Sequence, residues 1–251
     1  MNDPAGAVIG LDFDGTLSPI VPDPAAARIH PAAPEILARL SERVLSVVIL
    51  TGRPPETVLS LGPGLAEVPG LVILGHYGFE RWESGRLSAP PPPAGVPRAE
   101  AELPLLLRDL GLSGVVVEDK GRAVAVHTRR SPDPAKALET LHAPLRALAE
   151  RNGLVVEPGR YVLELRPPGM DKGHALSLFL AERAARSAMF VGDDLGDLAA
   201  FEAVRVSGLP GVTVCSGSSE VSALAERADL VVDGPDGVIT LLKELVSAVR
   251  R

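Results

Sequence analysis

The chain has 251 residues, of which 46% are hydrophobic and 3% aromatic, and its formal net charge at pH 7 is −7. This length is sufficient for one or two domains with a hydrophobic core, and the acidic balance argues against a nucleic-acid or anionic-membrane surface. A phosphorylated substrate is not excluded, because a bound cation can reverse the local charge.

The cysteine content and the hydropathy pattern indicate a cellular location. Cys215 is the single cysteine, which excludes an intrachain disulfide and favours a reducing compartment. The sequence shows no basic N-terminal region followed by an apolar stretch, as a signal peptide has. Nor does any apolar run approach the ~18 residues of a membrane span. We therefore expect a cytoplasmic protein without membrane association.

Short apolar runs alternate with helical patterns over much of the chain. This alternation predicts a parallel sheet covered by helices on both faces. The predicted strands are 7–11, 45–51, 71–74, 188–191, 212–215 and 230–232, and the predicted helices are 33–43, 172–185, 198–204 and 237–249.

The middle of the chain has a different pattern: helix, two strands, helix, two strands. The proline run 90–93 is interpreted as a stiff spacer. After it, helices are predicted at 99–110 and 135–152, and strands at 114–117, 123–128, 154–157 and 161–165. We therefore predict an α/β sheet domain, residues 1–92 and 169–251, interrupted by a smaller α+β domain, residues 93–168.

Two aspartates follow the first predicted strand, in the segment Asp12-Phe13-Asp14-Gly15-Thr16. On extended chain, residues i and i+2 face the same side, so the two carboxylates can converge while the phenylalanine packs inside. The glycine permits a sharp turn, and the threonine adds a hydroxyl. Paired carboxylates beside an exposed turn suit a divalent cation and a phosphate. The alternative is an acidic turn at a strand end.

Two further motifs also lie at the ends of predicted elements, where open parallel sheets bind ligands. Thr51-Gly52-Arg53 closes the second strand and offers a hydroxyl and N–H groups to phosphate oxygens, although a helix cap is the alternative.

Lys172 begins a predicted helix, where a positive charge is unfavourable for the helix dipole. Together with free N–H groups it suits an anion; the alternative is a solvated surface lysine.

The last motif is Gly192-Asp193-Asp194-Leu195-Gly196-Asp197, directly after a buried run. Its three carboxylates repel one another unless a cation neutralises them, and ligand sets made only of oxygen suit Mg²⁺. An aspartate cap followed by an acidic first turn is the alternative.

These four motifs, in this order, resemble those of the haloacid dehalogenase-like superfamily of phosphotransferases, whose core is a Rossmann-like parallel sheet. An α+β domain inserted between the second and third motifs corresponds to the C2-type cap domain of that superfamily. The insert is itself similar to that of the trehalose-6-phosphate phosphatase family. The segments that carry this similarity are 117–121, 124–129, 162–167 and 171–173, together with 17–20 after the first motif.

Two segments depart from the family pattern. The family often has Gly-x-His-Gly after the third strand, whereas this chain has Gly75-His76-Tyr77-Gly78, so no role is assigned to His76. Threonine and glutamate usually flank the final aspartate of the last motif, and here these positions are Gly196 and Leu198. The acidic residues of that motif are intact.

The resemblance implies a phosphatase that works through an aspartyl-phosphate and Mg²⁺. It implies that Asp12 is the nucleophile, that Asp14 is the general acid and base, and that Thr51 and Lys172 stabilise the phosphoryl oxygens. The implied Mg²⁺ ligands are the carboxylates of Asp12 and Asp193 and the carbonyl of Asp14, with Asp194 and Asp197 ordering the metal's waters. Gly15, Thr16, Gly52 and Arg53 complete the implied phosphate site.

Polar residues recur at every second position of two predicted strands in the insert. His127 and Arg129 share one face, and Glu164 and Arg166 share another, as in a half-buried sheet. Such a face is either solvated or hydrogen-bonds sugar hydroxyls, and a site built around hydroxyls rejects analogues that lack them. The resemblance assigns sugar contacts to Glu118, Lys120 and Glu164.

The expected reaction is therefore hydrolysis of trehalose 6-phosphate to trehalose and phosphate. The alternatives are another C2-capped phosphatase (for sucrose-phosphate, a mannosyl-phosphoglycerate or a hexose phosphate), a phosphomutase, and a catalytically silent sugar-phosphate sensor or regulator of a synthase. The intact set of Asp12, Asp14, Lys172 and Asp193 argues against the silent protein. We expect a monomer that is functionally coupled to a trehalose-phosphate synthase and has no nucleic-acid partner.

Overall fold

The computed structural model of the protein describes residues 3–91, 93–159, 161–217 and 222–248. The chain divides into two compact units: the first comprises the residues up to Ala89 and from Asp171 onward, and the second is Pro90–Met170. The sequence predicts domain boundaries after residues 92 and 168. Of the predicted proline spacer, residues 90, 91 and 93 are described, and they belong to neither a helix nor a strand.

Strands and helices alternate along most of the described chain. The strands are β1 (Ala7–Leu11), β2 (Ser46–Leu50), β3 (Val72–Gly75), β4 (Glu80–Glu83), β5 (Arg86–Ser88), β6 (Val116–Asp119), β7 (Val124–His127), β8 (Val155–Gly159), β9 (Val162–Arg166), β10 (Ser187–Gly192), β11 (Gly211–Gly217) and β12 (Leu230–Asp233). The α-helices are α1 (Ala33–Ser41), α2 (Pro55–Leu61), α3 (Gly95–Asp109), α4 (Pro134–Arg151), α5 (Lys172–Glu182), α6 (Leu198–Val206), α7 (Ser222–Ala225) and α8 (Gly234–Ala248). Among the described helices, none has the length and apolar character needed to cross a bilayer.

The first unit contains one sheet with the strand order β12-β11-β10-β1-β2-β3-β4-β5. The strands from β12 to β3 are parallel, as predicted. The hairpin of β4 and β5 adds an antiparallel edge that the sequence does not predict, because Trp82 is the only buried side chain of these two strands. The seven-residue helix α2 is also not predicted, being too short for a clear period. Val249, the predicted end of the last helix, lies outside the described residues.

Alternate residues of the central strands pack against different helices. Ile9 and Leu11 share a core cluster with residues of α1 and α8, whereas Val8 shares one with residues of α5 and α6. In the second cluster, the rings of Phe190 and Phe201 meet edge to face, with their centroids 6.2 Å apart. Because all residues of β1 are buried, helices cover both faces of this sheet. This confirms the predicted α/β fold of the sheet domain.

The second unit is an α+β structure, as predicted. Its strands form an antiparallel sheet in the order β6-β7-β9-β8. One face of the sheet is buried against α3 and α4 through Val124, Val126, Leu163 and Leu165. Because side chains alternate between the two faces of a strand, the residues between these four lie on the opposite face, which is mostly polar.

The carboxyl ends of the parallel strands lie along one edge of the first sheet. β1 is flanked by β10 and β2, and the residues that directly follow these three strands are Asp12, Asp193 and Thr51. Open α/β sheets bind ligands at this edge, near the point where the order of the strands reverses. The sheet therefore brings three of the four predicted motifs together.

Candidate active site

Asp12 lies at the centre of this edge and is 5% exposed. Its backbone N–H donates to the carbonyl oxygen of Val191 in β10, at 2.9 Å, so the strand pairing continues to this residue. Phe13 is fully buried, as the alternation predicts, while Asp14 is only half-buried. The first motif therefore presents one enclosed and one accessible carboxylate.

The turn after these aspartates requires a glycine. Gly15 has a φ of 72°, and a Cβ atom at this position would collide with the carboxylate of Asp193. A residue without a side chain meets both demands. The hydroxyl of Ser216, at the end of β11, donates to the Gly15 carbonyl oxygen at 2.6 Å. Next in the chain, Oγ1 of Thr16 is buried and has no hydrogen-bond partner in the described part of the chain.

Asp197 organises the acidic loop after β10. Its Oδ2 atom accepts hydrogen bonds from the backbone N–H groups of Asp193 and Asp194, at 2.9 and 3.2 Å. Its Oδ1 atom accepts from Nζ of Lys172 at 2.7 Å. Both carboxylate oxygens of Asp197 thus accept hydrogen bonds from the protein and stabilise the conformation of the loop. This arrangement is compatible with the predicted role of Asp197 behind the metal ligands, where it would order the metal's waters.

Lys172, the first residue of α5, connects the first and last motifs. It is 5% exposed, and its Nζ atom lies 2.8 Å from Oδ1 of Asp12 and 2.7 Å from Asp197. Burial alone would lower the pKa of Lys172, but the attraction of these two carboxylates raises it well above its ordinary value. The lysine is therefore charged and buried, and it is not the solvated surface lysine of the alternative interpretation.

Arg53 and Asp14 form a bidentate ion pair. Nε and Nη2 of Arg53 donate to the two carboxylate oxygens of Asp14, at 2.6 and 2.7 Å. The backbone N–H of Arg53 also donates to Oγ1 of Thr51 at 3.2 Å, and Thr51 itself is buried. The second motif thus lies beside the first. The sequence predicts phosphate contact for Arg53 but not its pairing with Asp14.

The acidic residues around Asp12 fit a magnesium ion. Asp12, Asp193 and Asp197 each offer a carboxylate oxygen, and these atoms lie within 4.8 Å of one another. All three residues are buried, and hard oxygen donors of this kind are the ligands that Mg²⁺ prefers. Since both oxygens of Asp197 are already hydrogen-bonded, the predicted set remains the carboxylates of Asp12 and Asp193 with the carbonyl of Asp14.

Replacing Asp193 by asparagine tests this assignment. In the metal-free protein, burial and repulsion by Asp197 and Asp194 raise the pKa of Asp193 to about 7. A carboxyl group with a raised pKa stabilises the folded state while protonated, and this contribution is lost as the pH rises from about 4 to about 7. Above pH 7, we therefore expect metal-free Asp193→Asn to unfold at the same temperature as the wild type or higher.

The same variant is expected to lose stabilisation by magnesium. At a Mg²⁺ concentration 100 times the dissociation constant, binding to the folded wild type contributes about 2.7 kcal/mol. Thermal denaturation with and without Mg²⁺ measures this difference, with the exposed Asp109→Asn as the control. A full magnesium effect in Asp193→Asn would refute its role as a ligand.

The polar face of the second sheet carries the predicted sugar-contact residues. Glu118, Ala125, Glu164 and Glu157 lie side by side across its four strands. Nζ of Lys120 donates to Oε2 of Glu164 at 2.6 Å. The other oxygen of Glu164, Oε1, is buried and has no hydrogen-bond partner within the described ranges. This row therefore contains a buried acceptor that a ligand can satisfy.

A histidine–glutamate hydrogen bond and an ion pair also lie on this face. Nε2 of His127 is 2.8 Å from Oε2 of Glu118, and Nη2 of Arg166 donates to Oε2 of Glu157 at 2.8 Å. His127 and Arg166 are thus placed with the other predicted residues. Glu157 was not among the predicted residues, because its single charge in an exposed strand gives no separate signal.

Arg129 does not belong to this face. The prediction that it shares a strand face with His127 is wrong, because β7 ends at His127 and Arg129 lies in the following turn. The hydroxyl of Thr128 donates to the Pro134 carbonyl oxygen at 2.9 Å, and the N–H of Ser131 donates to the Thr128 carbonyl oxygen at 2.8 Å. The N–H of Thr128 still donates to the Tyr161 carbonyl oxygen of the neighbouring chain segment at 2.9 Å. The turn that Thr128 and Ser131 form therefore ends the pairing just before Arg129.

The chain resembles known trehalose-phosphate phosphatases in sequence. Residues 10–235 match the family model for trehalose-phosphatase. A probable trehalose-phosphate phosphatase of Sinorhizobium fredii is 35% identical over 206 residues, which cover 79% of this chain and 74% of that protein. The trehalose-phosphate phosphatase of Mycobacterium avium is 34% identical over 257 residues, covering 96% of this chain and 62% of that protein.

Some relatives are considerably longer than this chain. An uncharacterized glycosyl hydrolase of Mycobacterium tuberculosis is 38% identical over 213 residues, which cover 79% of this chain and 15% of that protein. The chain spans between 15% and 62% of the length of the first relatives that it matches.

Solved structures share the fold. Trehalose-6-phosphate phosphatase from Aspergillus fumigatus aligns with a TM-score of 0.74 at 23% identity, over 97% of this chain and 93% of that chain. A haloacid dehalogenase-like hydrolase from Bacteroides thetaiotaomicron aligns with a TM-score of 0.66 at 19% identity, over 95% and 98% of the two chains. The predicted haloacid dehalogenase-like fold is thereby confirmed. Because the family model matches most of its length, the chain belongs to the trehalose-phosphatase family.

Proposed function

We propose that this protein is a Mg²⁺-dependent phosphatase that hydrolyses trehalose 6-phosphate to trehalose and phosphate through an aspartyl-phosphate. The observation that carries the proposal is the placement of Asp12, which is buried at the end of β1 within 2.8 Å of the Lys172 ammonium and among carboxylates that fit a cation. The match to the trehalose-phosphatase family model supports the choice of substrate.

In the proposed first step, an oxygen of Asp12 attacks phosphorus and the bond to the sugar oxygen breaks. Lys172, the Thr51 hydroxyl and the N–H of Thr16 stabilise the phosphoryl oxygens as charge develops. The N–H of Gly15, which the sequence also offers, already donates to the Ser18 carbonyl oxygen at 2.7 Å. A bound Mg²⁺ would neutralise part of the negative charge of the carboxylates and the phosphate, which otherwise oppose the approach of an anionic nucleophile. Water then attacks the aspartyl-phosphate and releases phosphate.

Asp14 is proposed to transfer the protons. It protonates the leaving sugar oxygen and later takes a proton from the attacking water. In the structure, Nε and Nη2 of Arg53 donate to the two Asp14 oxygens. A substrate phosphate competes with Asp14 for this guanidinium. We therefore assign Arg53 two functions: it orients Asp14 before binding and contacts the phosphate afterwards.

The second unit is proposed to recognise the sugar. A buried carboxylate oxygen without a hydrogen-bond donor destabilises the protein unless a ligand supplies one. Oε1 of Glu164 is in this state within the described chain, and sugar hydroxyls are suitable donors. Lys120 fixes the other oxygen of this carboxylate, and Glu118 lies in the same row. The assignment of this unit as a cap domain is part of the proposal.

Replacing Lys120 by alanine is expected to impair trehalose 6-phosphate hydrolysis selectively. The variant removes the ammonium that holds Oε2 of Glu164 and so fixes the carboxylate proposed to bind the sugar. We therefore expect kcat/KM for the sugar phosphate to fall about a hundredfold or more. For p-nitrophenyl phosphate, which has no sugar hydroxyls, we expect a change of less than about threefold. The control is Lys136→Ala, an exposed lysine on α4. Equal losses on both substrates would assign Lys120 to stability instead of recognition.

The proposal as a whole is tested by phosphate release with and without Mg²⁺. The substrates are trehalose 6-phosphate, sucrose 6-phosphate, glucose 6-phosphate and p-nitrophenyl phosphate. We expect Mg²⁺-dependent turnover with a strong preference for the first. Equal activity across the panel would retain the phosphatase and refute the substrate, whereas no activity on any compound would refute both.

Two further parts of the proposal concern the cellular setting. The substrate is the product of a trehalose-phosphate synthase, so functional coupling to such an enzyme is included, with this chain as a monomer. A cytoplasmic location is supported by Cys215, the single cysteine, which is unpaired and buried.

A further inference from the structure

The turn between β3 and β4 contains two consecutive residues with a left-handed backbone, and neither is glycine. His76 has a φ of 45° and Tyr77 a φ of 57°. This conformation is unfavourable for residues with a side chain. It persists where the surrounding structure enforces it, and such strain is concentrated at functional sites. The proposed mechanism gives this turn no role, so its conformation has another cause.

The backbone of this turn holds the second motif. The N–H of His76 donates to the carbonyl oxygen of Arg53 at 3.1 Å, and the N–H of Tyr77 donates to the carbonyl oxygen of Thr51 at 2.9 Å. Both ends of the segment from Thr51 to Arg53 are therefore fixed by two successive N–H groups. That segment carries the hydroxyl proposed to bind the phosphate and the guanidinium that holds Asp14.

The side chain of Tyr77 covers the middle of the same segment. A Cβ atom at Gly52 would lie 2.8 Å from the Tyr77 hydroxyl oxygen and 2.9 Å from its ring carbon Cζ. Gly52 does not have a positive φ, so its backbone conformation is open to alanine. The tyrosine ring is therefore the reason why glycine is needed at this position.

The opposite side of the turn packs against α5 and against a glutamate of β4. A Cβ atom at Gly78, which has a φ of 95°, would lie 2.5 Å from Cβ of Ala175 in α5, the helix that begins with Lys172. Nδ1 of His76 lies 3.2 Å from Oε2 of Glu80, and both side chains are largely buried. The turn is thus packed between the second motif and the helix that carries the buried lysine.

We propose that the His76–Tyr77 turn positions the phosphate-binding segment from Thr51 to Arg53. Its left-handed backbone aims two N–H groups at the carbonyl oxygens of that segment, and the Tyr77 ring keeps Gly52 in place. Tyr77 is a positioning residue and not a catalytic one. This inference rests on the proposed phosphatase function, since the segment matters only if it binds a phosphoryl group.

Two substitutions of Tyr77 separate the effect of the left-handed backbone from the effect of the aromatic ring. Both Tyr77→Asn and Tyr77→Val remove the ring, but asparagine tolerates the left-handed backbone whereas the β-branched valine does not. We expect kcat of Tyr77→Asn to remain within about tenfold of the wild type, and kcat of Tyr77→Val to fall about a hundredfold, as for a misplaced catalytic group. KM should change less than kcat, because the segment acts mainly on the reacting phosphoryl group.

Ser84→Val is the matched control for backbone strain. Ser84 has a φ of 51° and is exposed in the turn between β4 and β5. This variant should lower the melting temperature as Tyr77→Val does and leave kcat unchanged. Equal kcat values for Tyr77→Asn and Tyr77→Val would overturn the proposal, as would a loss of kcat in Ser84→Val of the same size.

Gly52→Ala provides a second test that does not depend on the folding of Tyr77→Val. The added methyl group meets the tyrosine ring, so kcat should fall by about tenfold or more. Adding Tyr77→Asn removes the ring and should restore most of this loss. A double variant no more active than Gly52→Ala would contradict the inferred contact.

A binding measurement separates failure of this inference from failure of the proposed function. Tungstate, an oxyanion shaped like phosphate, is titrated calorimetrically into the wild type and both Tyr77 variants in the presence of Mg²⁺. We expect the dissociation constant to rise about tenfold in Tyr77→Val relative to Tyr77→Asn. If Tyr77→Val and Tyr77→Asn bind tungstate with the same affinity, the positioning role is refuted, whether or not the wild type shows turnover. If the wild type is inactive, only the proposed phosphatase function is refuted.

Discussion

Asp12→Asn is expected to abolish phosphatase turnover while leaving the fold intact. Asparagine has the same shape, but its amide cannot attack phosphorus, and loss of a nucleophile commonly lowers kcat by about 10⁴-fold or more. The fold should survive because the Lys172 ammonium keeps Asp197 as a partner at 2.7 Å. In addition, the substitution removes one of three carboxylates that lie close together, which reduces the repulsion between them. Phosphate release measures the first effect, and thermal denaturation measures the second.

The control for this experiment is Asp109→Asn, which removes a negative charge from an exposed position. Its turnover should equal that of the wild type. The melting temperature of Asp12→Asn should lie within about 4 °C of the wild-type value. Wild-type turnover in Asp12→Asn would refute the nucleophile assignment, and unfolding of the variant would show that Asp12 is needed for structure.

Lys172→Met is expected to damage stability as well as turnover. Methionine fills a similar volume but leaves the buried carboxylates of Asp12 and Asp197 without their cation. Removing one partner from a buried charge group costs about 3–5 kcal/mol. Chemical denaturation in the absence of Mg²⁺ measures this loss of unfolding free energy. Because Lys172 is also proposed to stabilise the phosphoryl oxygens, the variant should show no measurable turnover at any Mg²⁺ concentration.

A double variant shows whether charge is the cause. Asp12→Asn combined with Lys172→Met leaves one uncompensated carboxylate of the pair instead of two. It should therefore be more stable than Lys172→Met alone, a non-additive result expected for groups in contact. If Lys172→Met unfolds at the same denaturant concentration as the wild type, the buried charge cluster contributes nothing to stability.

The parts of the site that the sequence predicts are those that depend on local pattern. Asp12 and Asp193 each follow a short apolar run directly, and the run reveals both the strand and its carboxyl end. Lys172 stands out because a positive charge at a helix start is locally unfavourable. The two sheets are predicted for the same reason. In the first, apolar runs alternate with helical patterns along the chain, and in the second, apolar and polar residues alternate within the strands.

The parts that the sequence does not predict depend on partners far apart in the chain. Arg53 pairs with Asp14, 39 residues away, and nothing in either local segment indicates this. Ser216 reaches Gly15 across 201 residues, and a single serine at a strand end gives no pattern. Arg129 fails for the opposite reason, because local hydrogen bonds around Thr128 end a strand that alternation would continue.

The pairing of β1 with β10 has a consequence for biosynthesis. Ala7 and Ser187 are direct neighbours in the sheet although 180 positions separate them, and the whole second unit is encoded between them. At about 5–20 residues per second, the ribosome needs roughly 10–40 s to make this interval. During that time one side of the nascent β1 lacks its final neighbour, while the inserted unit has all of its own strands and helices. The proposed nucleophile at the end of β1 is therefore assembled late, after the part of the chain proposed to recognise the sugar has emerged.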